Sequence, residues 1–254
     1  MNPILWQPHP QQVQQAAITH FRQTMAKKYD LELPDYRALH RWSIADRGRF
    51  WREIWALGGC VGEGELEPPL GADHMPGAQW FPQLRLNFAE NLLQRRDDGL
   101  AIHFRCEEST ERNLSFAELH DQVAKVAAGF RRLGLQPGDR VAAFVPNIPE
   151  TVISMLAVTS LGGVWTSCSP DFGVQGVLDR FGQVEPRFFI AADGYQFKGR
   201  HFDRRPQLRE ILAGLPSVER CLVIPYLEER PDLQGLGDCQ LLSQWLEQEE
   251  SPEL

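Results

Sequence analysis

From residue 100 onward, apolar positions alternate between short extended runs and longer helical faces. Residues 100–105 have strand character, the turn-prone Glu107-Glu108-Ser109-Thr110 follows, and a second extended run leads to Leu114. Ser115-Phe116-Ala117-Glu118 then forms an S-x-x-E capping box. After it Leu119, Val123, Val126, Ala127, Phe130 and Leu133 recur at helical spacing until Gly134 stops the helix. Pro137-Gly138-Asp139 turns the chain into a strand at 140–145 that Pro146 ends. Pro149 and Glu150 open a helix reaching Gly162-Gly163. The alternation continues with a strand at 164–167, a helix at 174–184, a strand at 187–191, a helix at 206–213 and a strand at 220–224. Repeated βα units of this spacing predict an α/β fold, a mostly parallel sheet with helices on both faces.

The first 85 residues follow another rhythm, helical and rich in tryptophan. Residues 11–28 contain neither proline nor glycine and predict a single helix. Ser43 is the expected N-cap of a second helix, with Asp46 at its third position and Phe50, Trp51, Ile54, Trp55 and Leu57 at helical spacing before Gly58. The Gly-, Pro- and Glu-rich stretch 58–82 predicts an irregular crossing segment. Three parts are therefore expected: a helical extension at 1–85, an α/β segment at 86–226, and an acidic segment at 227–254.

The chain has 254 residues, 43% hydrophobic and 24% charged, which excludes wholesale disorder and fibrous architectures. Five cysteines at wide spacing, with no C-x-x-C pair, argue against a disulfide framework or a zinc ribbon and fit a reducing cytosol. Residues 1–10 lack the basic and apolar regions of a secretory signal. The apolar stretch 151–165 is too short and too interrupted to span a bilayer. A soluble, cytoplasmic chain is expected. Net charge is −8, and the segment 227–254 alone carries −7, with eight acids against Arg230. The acidity disfavours nucleic acid as a partner. One stretch is basic: between Asp179 and Arg209, seven Lys or Arg (Arg180, Arg187, Lys198, Arg200, Arg204, Arg205, Arg209) face four acids.

No βα junction carries G-x-G-x-x-G, and the glycine cluster 58–65 follows a helix and contains two acids, so it reads as a loop. Walker, H-E-x-x-H, G-x-S-x-G and EF-hand patterns are absent. His103 in a strand and His74 and His201 in loops have no second ligand at workable spacing, so no metal site is expected. Asp171 and Asp179, eight apart, make no convincing carboxylate dyad. The segment from Gly162 to Gly173 is the most specific: a strand leaving the carboxyl edge of the sheet, a turn, then a helix N-terminus. Ligands bind at such places and helix amides attract anions there. The plainer reading is a βα turn in which Ser169 or Asp171 caps the helix.

The run from Trp165 to Arg187, containing Cys168-Ser-Pro-Asp-Phe-Gly173, resembles the acetoacetyl-CoA synthetases, a branch of the AMP-forming acyl-CoA ligases in the adenylate-forming superfamily. So do Trp80-Phe81-Pro82, Leu86-Asn87-Phe88-Ala89-Glu90-Asn91-Leu92-Leu93 and Ala192-Asp193-Gly194-Tyr195. Leu114 to Leu119, with Gly138-Asp139-Arg140-Val141, is similar to the superfamily's first core motif. The start around Phe50-Trp51 resembles the N-terminal extension of the acetyl-CoA synthetase branch. The resemblance runs to about Ile224.

It implies the first part of an adenylate-forming N-domain, with acetoacetate, coenzyme A, ATP and magnesium as substrates and cofactors of the full-length family. It also implies that Phe172 and Gly173 lie near the pantetheine channel. Phe197, Lys198, Gly199 and Arg200 then lie near the nucleotide end of coenzyme A, with Phe197 standing where the family often has arginine. The family's Ser/Thr/Gly-rich phosphate loop ending in Gly-x-Pro-Lys, its aromatic-Thr-Glu motif, ribose-binding Asp, hinge and catalytic lysine do not occur here; Thr110-Glu111 is a dipeptide match only. The expectation is an amino-terminal part, well under half of the enzyme, that holds no catalytic residue and binds no cofactor tightly alone. It should self-associate through surface left uncovered. An acetate or propionate ligase and a non-catalytic α/β binding module stay open as alternatives. The missing glycine fingerprint argues against a nicotinamide enzyme.

Overall fold

In the computed structural model, which describes residues 3–107 and 110–246, the chain divides into two units, Met1–Arg85 and Leu86–Leu254. Part of the predicted turn at 107–110, Glu108 and Ser109, lies outside the described residues.

The first unit contains helices α1 (Pro10–Gln15), α2 (Ala17–Tyr29), α3 (Tyr36–Ala45) and α4 (Arg47–Leu57). The single helix expected over 11–28 is broken at Ala16, which is extended (φ −66°, ψ 136°). The Thr19 hydroxyl donates to the Val13 carbonyl at 2.6 Å, and the Ala16 carbonyl accepts the Thr19 and His20 amides. The break thus satisfies its own backbone groups, so helix propensity does not reveal it. Ser43 is not a cap. It lies inside α3 and donates to the His40 carbonyl at 2.9 Å. Carboxylates do the capping: Asp35 accepts from the Ala38 amide and Asp46 from the Arg49 amide, at ends where a negative charge also meets the helix dipole favourably. Helix α4 closes at Gly58, with the left-handed residue one position on at Gly59 (φ 60°).

The buried residue of α4 is Glu53, 5% exposed, while Trp51 and Leu57 are exposed. Burial alone would raise the Glu53 carboxyl. Hydrogen bonds from Lys28 Nζ (2.6 Å) and the Tyr29 hydroxyl (2.5 Å), with the charges of Lys28 and Arg52, outweigh it and hold the group below its ordinary range. Beyond α4 the backbone is irregular as expected, apart from β1 (Glu63–Gly64) paired antiparallel with β2 (Leu84–Arg85) and a bridge between Leu70 and Trp80.

The second unit runs α5 (Phe88–Leu92), β3 (Leu100–Arg105), β4 (Glu111–Ser115), α6 (Phe116–Arg132), β5 (Arg140–Phe144), α7 (Pro149–Ser160), β6 (Val164–Cys168), α8 (Val174–Phe181) and β7 (Phe188–Ala192). It continues with β8 (Gly194–Phe197), β9 (Arg200–Asp203), α9 (Arg205–Gly214), β10 (Arg220–Ile224), β11 (Cys239–Leu241) and α10 (Leu242–Leu246). The capping box forms as the sequence predicts: Ser115 Oγ accepts the Glu118 amide at 3.1 Å and Glu118 Oε2 accepts the Ser115 amide at 2.8 Å.

Among the described residues a five-stranded parallel sheet has the order β11-β10-β7-β5-β6. Successive residues of its central strands face opposite sides. Val141, Ala143, Phe188, Ile190, Leu222 and Ile224 pack with α6, α7 and α10. Ala142, Phe144, Phe189, Ala191, Cys221 and Val223 pack with α8 and α9 on the other side. The sheet is thus covered on both faces, which explains the nearly continuous apolar strands. Elements with no clear signal in the hydropathy pattern include the antiparallel hairpin β8–β9, and β11 with α10, which lie in the acidic segment. No helix among the described residues is long and apolar enough to cross a membrane.

Helix α10 docks through Trp245, 3% exposed, whose ring meets Phe130 edge-on at 5.5 Å. A Cβ on Gly129 would lie 2.3 Å from Trp245 Cη2. Replacing an exposed helical glycine by alanine normally stabilises by about 1 kcal/mol. Here the sign should invert, and Gly129→Ala is expected to lose about 1–3 kcal/mol through overpacking. Urea denaturation of Gly129→Ala, Trp245→Ala and the double variant checks this. In the Trp245→Ala background the glycine substitution should become neutral or stabilising; a stabilising Gly129→Ala in the parent chain would refute the docking.

Candidate functional site

Strands β5, β6, β7 and β10 end at one edge of the sheet, and their connections part there. The chain after β5 enters α7, whose Ile153, Leu156 and Ala157 belong to one face. The chain after β7 leads through the hairpin to α9, whose Leu208 and Ile211 belong to the other. Between neighbouring strands with oppositely departing connections a crevice opens, the usual ligand position in a doubly wound sheet. Here it is a cleft of about 370 Å3, lined by Asn147 after β5, Ser169 and Asp171 after β6, Tyr195 and Phe197 on β8, and Tyr226 after β10.

The floor of this edge is organised by Asp193, 1% exposed. Its Oδ1 accepts the Tyr226 and Leu227 amides, both at 2.9 Å, and its Oδ2 accepts those of Leu227 at 3.1 Å and Glu228 at 3.0 Å. A buried carboxylate is tolerable only when so satisfied. The Asp193 backbone is bonded as well, its amide to the Ile224 carbonyl and its carbonyl to the Arg204 amide. Gly194 follows because a Cβ there would lie 2.3 Å from both Leu227 Cδ1 and the Phe202 carbonyl oxygen.

The hairpin β8–β9 forms one wall. The Tyr195 and Phe202 rings stack at 4.9 Å, and Arg204 donates to the Tyr195 hydroxyl at 2.9 Å. Lys198 (φ 51°) and Gly199 (φ 67°) are both left-handed, which makes the two-residue turn that matches strand twist. Its amides are already engaged: Glu107 Oε2 accepts from Gly199 at 2.9 Å. The Gly199 and Lys198 amides, and then the Lys198 charge, hold the Glu107 carboxyl below its usual range.

The basic stretch resolves into two groups. Arg187 pairs with Asp139 and Glu219, and Arg205 with Asp203 and Glu228. Arg180 and Arg209 donate to backbone carbonyls, and Arg204 to Tyr195. Lys198 and Arg200, at the hairpin tip, have no ion pair among the described residues, although Lys198 Nζ lies 5.2 Å from the centre of its neighbour Phe197's ring.

Of the residues singled out by sequence, Phe197 stands on the cleft wall, 49% exposed, with Lys198, Gly199 and Arg200 beyond it. Phe172 is half-buried with the Arg180 guanidinium 4.4 Å above its ring. Gly173 is the N-cap of α8 and supplies no side chain to it. The expected capping by Ser169 or Asp171 does not occur. A turn closed by the Phe172 amide and the Ser169 carbonyl (3.2 Å) separates them from the helix, and both line the cleft instead. Nearby Cys168 is no ready nucleophile, because burial pushes its thiol up to about 11. His201 lies in β9 rather than in a loop. Sequence reasoning did not single out Asn147, Tyr195 or Tyr226 as site residues, nor Asp193 as their support. The available signal was Asp-Gly directly after the apolar run of β7.

Comparison with known proteins adds a frame. The family model described as AMP-binding enzyme matches residues 88–253. An acetoacetyl-coenzyme A synthetase of Rhizobium meliloti (strain 1021) is 40% identical over 224 residues, covering 87% of this chain and 34% of that protein. A malonamoyl-CoA synthetase of Penicillium aethiopicum is 37% identical over 213 residues, 80% of this chain and 29% of its own. The solved structure of an acetoacetyl-CoA synthetase from Streptomyces lividans superposes with a TM-score of 0.91 at 37% identity, over 99% of this chain and 39% of that one. The chain therefore spans about a third of the length of the relatives it matches.

Asp193→Asn keeps the shape of the side chain but turns one acceptor into a donor aimed at amides that need acceptors. Leaving such groups unsatisfied is expected to cost about 2–4 kcal/mol in urea unfolding. A loss below about 0.5 kcal/mol would mean that the 226–228 amides find other acceptors, and that Asp193 does not hold this edge.

Proposed function

The chain belongs to the AMP-binding enzyme family, and from that premise we propose that it is the first α/β part of an acetoacetate–CoA ligase. That reaction converts acetoacetate, ATP and coenzyme A into acetoacetyl-CoA, AMP and diphosphate. The observation that carries the reading is the superposition of nearly the whole chain on an acetoacetyl-CoA synthetase. The malonamoyl-CoA synthetase among the relatives supports a second reading, activation of another short-chain acid on the same scaffold.

The reaction has two steps: a carboxylate attacks the α-phosphate of ATP and releases diphosphate, then a thiolate displaces AMP. The first needs donors and cations around a charged phosphorus centre. These 254 residues contain no Gly-x-Pro-Lys loop, and the described residues gather no group of three acidic, histidine or cysteine ligands for magnesium. No step through ATP is assigned to them. By itself the chain is expected to release no acetoacetate-dependent diphosphate.

What these residues offer is a surface for coenzyme A. Phe172 and Gly173 continue from the turn that lines the cleft, Phe197 presents an exposed apolar face, and Lys198 and Arg200 supply cations with no ion pair among the described residues. Glu107 opposes them, because its carboxylate occupies the tip amides that a phosphate would use. Cysteines at wide spacing fit a reducing cytosol, and a soluble, cytoplasmic enzyme is the setting we infer. The exposed edge strand β6, with Val164 49% exposed, favours self-association of the isolated chain. A concentration-dependent mass by light scattering would support that, and a monomer at all concentrations would count against it.

Exposed ion pairs with phosphate are each worth less than about 1 kcal/mol. In the complete ligase carrying this segment, Lys198→Ala with Arg200→Ala should raise the Michaelis constant for coenzyme A about three- to tenfold. The constants for ATP and acetoacetate should stay nearly unchanged. Glu107→Gln should move the coenzyme A constant the other way, downward, because it removes a competing anion. Coenzyme A constants untouched by both changes would return the hairpin tip to ordinary surface.

A further inference from the structure

Parallel strands β10 and β11 place Cys221 directly opposite Cys239. Neighbouring strands lie about 4.8 Å apart, inside the window of about 4.4–6.8 Å between Cα atoms that a disulfide requires. Residues opposite each other in a parallel pair project to the same face. Both side chains accordingly belong to the apolar cluster beneath α8 and α9, Cys221 within it and Cys239 packed against it. They differ in access: Cys221 is 3% exposed, whereas Cys239 is half-buried on the strand at the edge of the sheet. In the reduced form the Cys239 thiol donates to the Leu236 carbonyl oxygen at 3.0 Å, which fixes the direction of Sγ.

We propose that Cys221 and Cys239 are a peroxide-responsive dithiol, in which Cys239 is the attacking sulfur and Cys221 the resolving one. The Cys239 thiolate attacks the terminal oxygen of a hydroperoxide; an S–O bond forms, the O–O bond breaks and an alcohol, or water, leaves. Cys239 is then a sulfenic acid. The Cys221 sulfur attacks the Cys239 sulfur; an S–S bond forms, the S–O bond breaks, and hydroxide leaves as water with the Cys221 proton. Two thiols are oxidised by two electrons, and the peroxide is reduced by the same two.

The polarity of the pair supports this order. Cys239 is the more accessible sulfur, and the neighbouring Cys221 thiol lowers its pKa, favouring the thiolate that reacts. The neighbouring Cys239 and burial raise Cys221 well above its ordinary value and keep it a thiol until its turn comes. The S–S bond would tie edge strand β11, and α10 after it, to the body of the sheet. A transient disulfide of this kind suits a chain whose cysteines form no framework, and it does not depend on the ligase reading.

The test uses the chain itself, reduced and then treated with hydrogen peroxide, followed by peptide mapping without reductant. The expected product is an intramolecular Cys221–Cys239 crosslink, with two of the five thiols lost to thiol titration and recovered by dithiothreitol. Cys239→Ser should slow the loss of the Cys221 thiol at least tenfold. Cys221→Ser should leave a sulfenic acid on Cys239 that dimedone traps. If both cysteines stay reduced while exposed Cys60 oxidises, or if Cys239 is overoxidised in the parent chain without a crosslink, the proposal is wrong. The parent chain decides the matter even if a variant does not fold.

Discussion

A carboxylate buried without a cation must be surrounded by N–H groups, and Asp193 meets that demand by drawing in the amides of residues 226, 227 and 228. Much of the carboxyl edge of the sheet follows from this one constraint. The loop after β10 must approach the end of β7, so position 194 has no room for a side chain. The chain then leaves as the β8–β9 hairpin, whose aromatic residues become a wall of the cleft, and Tyr226 is delivered to the same space. A stabilising network and the wall of the cleft share the same few residues.

The basic stretch divides along similar lines. A count of charges between 179 and 209 invites a single explanation, yet five of its seven cations hold the fold together through carboxylates, carbonyls or a tyrosine hydroxyl. Two remain at a turn where strand twist demands left-handed backbone, and there the Glu107 carboxylate competes for the amides. The net attraction of the tip for an anion is thus a difference between opposing terms, and reading only the cations would overstate it.

The two faces of the sheet carry separate assignments. Toward α6, α7 and α10 the packing is aromatic and tight, with Phe130 between Phe188 and Trp245 at 5.7 and 5.5 Å. Toward α8 and α9 the same strands bring Cys221 beside Cys239, among Phe144, Phe189 and Val223. Edge strand β11 carries Cys239, and helix α10 directly after it docks through Trp245, while the cleft lies at the carboxyl ends of the neighbouring strands.

The sequence by itself determined whatever depends on near neighbours in the chain. The strands 100–105 and 220–224, the capping box at Ser115 and Glu118, and the α/β alternation were legible, because periodicity, caps and turn residues act within a few positions. The family likeness was legible too, through the run around Cys168 to Gly173. Only the tertiary structure decided the rest. Ala16 breaks a stretch of good helix formers, because Thr19 and His20 complete the caps on either side of it. Asp46 displaces Ser43 as the cap, because Ser43 is still inside the preceding helix. In the cleft, Phe197 and the segment holding Ser169 could be marked as candidates from sequence, but not their company of Asn147 and Tyr226, which follow different strands. Strand β11 is three residues long, too short to declare itself by alternation, and exists through its pairing with β10. That pairing sets Cys239 against Cys221 across the loop between them. Strand register is a long-range property, settled by which apolar faces the packed sheet can bury together.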